Sequence, residues 1–253
     1  ENYGAGLRLV DFIADDKREG ARQAINRWVS DETEGKIKDL IPEDAFNAYT
    51  RLVLANAIYF KGEWQEPFFP RSADGEFHLR SGETITVPMM SRRAQTRYAQ
   101  GEGWQAVELP YQGDRIRMVV LLPDEGRLEA LEQSLDGELL EAIVAGFEIK
   151  DLKLYLPRFD YEAELQLGPT LAEMGMPDAF DREKADLSGM YDRASEPRNL
   201  FLSHVIHKAF VAVDEKGTEA AAATGIVVEI VSEPFEVRVD RPFIFLIRDS
   251  DTG

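Results

Sequence analysis

Apolar and polar positions change period several times along this chain, and the changes mark its elements. Within residues 15–40, Ala21, Ile25, Trp28 and Val29 recur at helical spacing, and Gly35 ends the run. Residues 49–60 are apolar on both faces of an extended chain, which predicts a long strand buried inside a sheet. Short alternating stretches fill residues 77–122. Among them, Tyr111-Gln112-Gly113-Asp114-Arg115 makes a hairpin corner between strands at 106–109 and 116–122. Leu128, Leu131, Leu135, Leu139 and Ile143 form the stripe of one amphipathic helix over 128–147. Residues 153–158 read as strand, 165–174 as a shorter helix and 200–214 as strand, and 237–248 as two strand segments divided at Arg241-Pro242. Helices mixed with largely antiparallel sheets predict a single α+β domain, without repeats, low-complexity tracts or an internal linker.

The segment Glu215-Lys216-Gly217-Thr218-Glu219-Ala220-Ala221-Ala222-Ala223-Thr224-Gly225 resists assignment to one element. Its alanines favour helix, while the aliphatic, β-branched runs on both sides favour strand. With period two, Thr218, Ala220, Ala222, Thr224, Ile226, Val228 and Ile230 share one face, which carries no charge. Glu219 and Glu229 share the other, and no proline lies between Glu215 and Glu233. The segment therefore suits insertion into the middle of a sheet with its charges in solvent. An alanine-rich surface loop is the plainer alternative.

The 253 residues, 44% hydrophobic with 14 Phe and 3 Trp, suffice for one substantial core. A net charge of −18 argues against nucleic acid and anionic membrane as partners, and against activation by a polyanion. The 29 basic residues comprise 20 Arg and only 9 Lys, the bias of a GC-rich, bacterial type of genome. With no Cys, disulfides and thiol catalysis are excluded. No apolar run reaches the roughly 20 residues of a membrane span.

Catalytic chemistry is sparse. There is no Gly-x-Ser-x-Gly elbow and no phosphate-cradling loop. Of the three histidines, His204 and His207 stand three apart on a strand and face opposite ways, and His78 is isolated, so no metal or cofactor site is expected.

Eight motifs, in order, point elsewhere. Asn56-Ala57-Ile58-Tyr59-Phe60-Lys61-Gly62-Glu63-Trp64, Val87-Pro88-Met89-Met90, Leu122-Pro123-Asp124-Glu125-Gly126 and Leu154-Tyr155-Leu156-Pro157-Arg158-Phe159 are followed by Ala185-Asp186-Leu187-Ser188-Gly189 and Val205-Ile206-His207-Lys208-Ala209. Val213-Asp214-Glu215-Lys216-Gly217-Thr218-Glu219-Ala220-Ala221 and Asp240-Arg241-Pro242-Phe243-Ile244-Phe245 complete the series. Together they closely resemble the serpins, over essentially the whole chain. The serpin pattern carries further helices before residue 1 and two more strands after residue 253, so the expectation is a partial serpin domain.

The resemblance implies a non-enzymatic inhibitor of serine proteases that acts as a suicide substrate. It implies a hinge at Glu215, Gly217, Thr218, Glu219, Ala220, Ala221, Ala222 and Ala223. Asn56 and His207 would form the polar shutter of the central sheet. Trp64, Arg158 and Glu215 would form the breach where the loop first enters, with Arg158 and Glu215 as an ion pair. The serpin pattern places the reactive bond seventeen residues from the hinge glutamate, here Glu215, and eleven back from the residue matching Pro242, which implies Val231-Ser232. A small β-branched Val there favours elastase-like over trypsin-like proteases. The expected state is a monomer capable of loop–sheet polymers, extracellular rather than cytoplasmic. A non-inhibitory serpin with a binding or chaperone-like role is the alternative.

Overall fold

A computed structural model describes residues 6–70, 72–190, 200–218 and 234–253. In chain order the elements are α1 (Asp15–Glu32), β1 (Leu52–Tyr59), β2 (Gly62–Glu63), β3 (Ala73–His78), β4 (Thr84–Gly101), β5 (Trp104–Pro110) and β6 (Ile116–Pro123). Next come α2 (Leu128–Ser134), α3 (Gly137–Ala145), β7 (Glu148–Pro157), β8 (Phe159–Gln166), α4 (Gly168–Glu173) and α5 (Pro177–Phe180). The chain then forms β9 (Leu202–Val213), β10 (Gly217–Thr218), β11 (Phe235–Arg238) and β12 (Ile244–Asp249). It divides into two compact units, Glu1–Phe60 with Tyr161–Val211, and Lys61–Asp160 with Ala212–Gly253.

In the first unit β1, β9 and β8 form a sheet in that order, with β1 and β9 parallel. Helix α1 follows an Asx turn at Asp11, whose carboxylate accepts the Ile13 and Ala14 N–H groups. It ends at Thr33, whose hydroxyl donates to the Val29 carbonyl and accepts the Ile37 N–H. Buried Asn26 fixes the chain beyond it, donating to the Ile41 carbonyl and accepting the Ile41 N–H. Ala21, Val29, Ile37, Leu40 and Ile41 pack with Ile206 of β9, and Val53, Ala55 and Ala57 of β1 lie against this cluster.

The expectation that β1 is buried on both faces is corrected here. Its positions alternate: Leu54, Asn56 and Ile58 are exposed, Leu54 at 45% and Ile58 at 51%. An apolar residue on the second face reads the same in sequence whether or not a layer covers it.

In the second unit seven strands form one sheet, in the order β11-β7-β4-β5-β6-β12, with β3 paired to β4. The corner at Tyr111–Arg115 forms as expected, with Gly113 at φ 86° and the Tyr111 N–H donating to Ile116. Glu108 on β5 is wholly buried and holds Arg97 of β4 at 2.6 Å, Arg117 of β6 at 2.8 Å and Arg248 of β12 at 3.3 Å. One carboxylate thus staples four neighbouring strands. Taking it away would strand three partly buried cations and cost roughly 3–5 kcal/mol.

The helix expected over 128–147 is two helices. Asp136 leaves the helical conformation and its carboxylate caps α3 by accepting the Leu139 N–H at 2.8 Å. The helix expected over 165–174 begins only at Gly168, with Pro169 in its first turn, because the chain before it is β8.

Candidate functional site

In the second unit, the chain around Trp64 builds one candidate site. Trp64 follows β2, is 1% exposed and stacks on Tyr111 with centroids 4.4 Å apart and planes 17° from parallel. Phe68 meets its edge at 6.1 Å. Three donors from this stretch take three consecutive hinge carbonyls. Trp64 Nε1 donates to Asp214 at 3.0 Å, the Phe68 N–H to Glu215 at 2.8 Å, and the Trp64 N–H to Lys216 at 2.9 Å. Beneath Phe68 lies buried Arg92, whose guanidinium is 5.4 Å from the ring centroid and donates to the Glu66 carbonyl. Burial pushes the Arg92 pKa down to about 10, against the opposing pull of the Glu66 charge.

The hinge folds back on itself through Asp214. Its carboxylate accepts the N–H groups of Lys216 at 2.8 Å and Gly217 at 3.1 Å, while its own N–H donates to the Gly217 carbonyl at 2.9 Å. Gly217-Thr218 then pairs antiparallel with Glu63-Gly62. Gly217 is required by this approach. A Cβ there would run into the Gly62 carbonyl oxygen and stand 2.6 Å from Glu63 Cα and 2.9 Å from the Trp64 nitrogen.

The Glu215 carboxylate, expected to pair with Arg158, accepts from the Ser72 hydroxyl instead. No ion pair within 4.0 Å joins Arg158 to Glu215 among the described residues; exposed Arg158 acts on Glu215 through its charge. Burial raises the Glu215 pKa. Hydrogen bonds from Ser72 and from the Glu215 backbone, with the Arg158 charge, outweigh that and hold it below the usual value. The short serine hydroxyl outcompetes the arginine for contact, and the exposed guanidinium keeps its hydration.

A separate polar pair lies in the first unit. Asn56 of β1 is directly opposite His207 of β9, and the His207 Nδ1–H donates to Asn56 Oδ1 at 2.7 Å. Both were expected inside a buried sheet. Instead Asn56 is exposed and His207 half-buried. His204 faces the other way, beside Phe46, and burial lowers its pKa. Glu219, Ala220, Ala221, Ala222, Ala223, Val231 and Ser232 lie outside the described residues.

Sequence reasoning missed Asp214, Ser72, Phe68 and Tyr111. Asp214 had a signal, since Asp-x-x-Gly is an Asx-turn pattern. Ser72 had none, being 143 residues from Glu215 in sequence. Among the described residues no group of three or more His, Asp or Glu side chains is placed to hold a metal, and no helix is long and apolar enough to cross a membrane.

A family profile described as Serpin (serine protease inhibitor) matches residues 1–253. The leukocyte elastase inhibitor of Sus scrofa is 44% identical over 100% of this chain and 68% of its own length. Antithrombin-III of Mus musculus is 41% identical over 98% of this chain and 54% of its own. The structure of thyroxine-binding globulin complexed with thyroxine superposes with a TM-score of 0.85 at 30% identity, covering 99% of this chain and 65% of that one. The chain thus spans between about half and two thirds of the length of these relatives.

Proposed function

Because the chain belongs to the serpin family, we propose that it inhibits serine proteases as a suicide substrate, with Val231-Ser232 as the reactive bond. The protease's own serine attacks the Val231 carbonyl, forms an acyl-enzyme and expels the Ser232 amine. The freed arm, from the hinge to Val231, then inserts between β1 and β9 and carries the protease with it.

The observation that carries this reading is the pairing of the hinge. β1 and β9 are parallel neighbours, so a strand running the other way fits between them as antiparallel partner to both. Gly217-Thr218 already runs that way against Gly62-Glu63, the continuation of β1. Counting on from Thr218 opposite Gly62 brings Thr224 opposite Asn56. Counting on from the Asp214–Gly217 bond brings Thr224 opposite His207 as well. Asn56 and His207 are themselves opposite each other, so all three registers agree. The inserted Thr224 hydroxyl, both donor and acceptor, would part that pair and bond to each member. One parallel ladder would be exchanged for two antiparallel ones, and the apolar side chains of Ala220, Ala222, Ile226 and Val228 would join the exposed face of Leu54 and Ile58. A kinetic barrier would keep that gain in store until cleavage.

Val231 suits an elastase-like pocket, and no Lys or Arg stands between Lys216 and Arg238 to serve a trypsin-like one. A non-inhibitory binding role has a relative in its favour, since the globulin that shares this fold binds thyroxine. The inserting face opposes it, because Thr218, Ala220 and Ala222 offer neither charge, bulk nor proline to stop insertion. Incubating the full-length protein with an elastase tests the reading. A complex that survives a denaturing gel, with a released peptide beginning at Ser232, supports it; clean nicking without a complex overturns it. Val231→Arg should transfer complex formation to trypsin-like enzymes.

A further inference from the structure

We propose that Arg92 is a positioning residue for loop insertion: its guanidinium fixes residues 66–69 so that the Phe68 N–H holds the Glu215 carbonyl where the cleaved arm begins to enter the sheet. The inference rests on the inhibitory reading above. Arg92 stands where the seven-stranded sheet calls for an apolar residue. It is opposite Leu154 of β7, on the face that also carries Met90, Leu152 and Leu156, all buried. Arg92 is itself only 3% exposed. Among the described residues no carboxylate lies within 4.0 Å of it, and its Nε finds no acceptor. A guanidinium so placed recovers little of its lost hydration. An unbranched apolar side chain of similar length would complete the face without loss of stability. Departures of this kind from local consistency mark positions kept for function.

The strong contacts of the guanidinium all go to one stretch. Nη1 donates to the Glu66 carbonyl at 2.6 Å, and the cation lies 5.4 Å from the centroid of the Phe68 ring. Nη2 reaches only Thr96 Oγ1, at 3.5 Å on its own strand. One residue beyond Phe68, the Phe69 N–H donates to the carbonyl of Ser91, the neighbour of Arg92, at 2.9 Å. Phe68 is thus held from both sides, and its own N–H is left one direction, toward the Glu215 carbonyl at 2.8 Å. Glu215 opens the hinge, so an error at that carbonyl is carried into the register of every later residue of the inserting arm. Insertion races hydrolysis of the acyl-enzyme. A hinge that starts out of place loses the race, and the protein is then cut as an ordinary substrate.

The test uses the full-length protein carrying Arg92→Met. Its Phe68 amide should exchange with solvent deuterium about tenfold faster, the factor for one lost hydrogen bond to a charged group, while the Trp64 amide is unchanged. The number of inhibitor molecules consumed per elastase trapped should rise about threefold. The melting temperature should equal or exceed that of wild type, since a buried charge has gone. Arg92→Lys, which keeps the charge and a donor but not the planar fork, should return part of the way to wild type in both exchange and consumption. Unchanged consumption at any melting temperature, exchange that rises equally at Phe68 and Trp64, or an Arg92→Met protein that does not fold makes Arg92 a structural residue and overturns the inference while the inhibitory reading stands. No covalent complex between the wild type and an elastase overturns both.

Discussion

Around Trp64, the carbonyls of Asp214, Glu215 and Lys216 are each taken by a fixed N–H, and the donors sit in an aromatic nest closed to solvent. At Asn56, a hydrogen bond between two side chains links β1 to β9, on a face with Leu54 and Ile58 exposed. The first arrangement is specified by covalent geometry and packing: a glycine that cannot be enlarged, an indole whose donor has one place to go. The second is held by groups that water can replace. On the proposed mechanism, a hinge that delivers a strand in one register needs the first kind of anchor, and a gate that parts needs the second.

The contrast is broken most directly at Gly217. In Gly217→Val the new side chain meets the Gly62 carbonyl and the Glu63 backbone, neither of which can move without disturbing the pairing of β2 with β10. The expected loss is about 3 kcal/mol, of the order seen for overpacked cores. Urea unfolding followed by Trp64 fluorescence, with Trp28 and Trp104 replaced by Phe, should show the lower midpoint and a red-shifted native spectrum. A native spectrum identical to that of the parent would mean that the hinge is not anchored there.

Trp64→Phe is gentler. The ring stack survives in part, but the Asp214 carbonyl loses its donor, which costs about 1–3 kcal/mol when no water reaches it. Because the lost bond is to the hinge, heated protein should form loop–sheet polymers faster than wild type by size-exclusion chromatography. Asn56→Ala removes a bond already in contact with solvent, for about 0.5–1.5 kcal/mol. It should lower the unfolding midpoint less than Trp64→Phe does, yet it should speed insertion of a synthetic peptide matching residues 218–228. An Asn56→Ala penalty as large as that of Trp64→Phe would erase the distinction between anchor and gate.

How far sequence alone reached follows the same division. Local motifs name Trp64, Asn56 and His207, and the hydrogen bond between Asn56 and His207 spans 151 positions because a parallel register carries it; Glu219 to Ala223 lie outside the described residues. Burial of that pair was misjudged, since periodicity records which residues share a face and not what covers the face. Phe159, Tyr161, Ala163 and Leu165 alternate with polar residues, the pattern of β8, but Leu165 also fits the helical spacing that follows. The break at Asp136-Gly137 is legible as a cap, yet a leucine stripe runs on through it. Ser72 could not have been read, because nothing local distinguishes it from the other serines.

The smallest effect is expected at Glu215. Its carboxylate has a folded pKa below the ordinary value, through the Ser72 and backbone hydrogen bonds and the Arg158 charge acting against burial. A group depressed in this way stabilises the folded hinge at pH above its unfolded pKa of about 4.3, and the contribution is lost as the pH falls through the folded pKa. Polymerisation on mild heating should therefore accelerate on acidification below about pH 4 in wild type. Glu215→Gln keeps an acceptor for Ser72 but cannot titrate, so its rate should be slightly higher near neutrality and should converge with wild type in acid. Glu215→Lys places a second cation in the field of Arg158 and should polymerise faster than either at neutral pH. Identical pH profiles for wild type and Glu215→Gln would show that the carboxylate's charge takes no part in holding the hinge, and that Ser72 serves it only as a neutral hydrogen-bond partner.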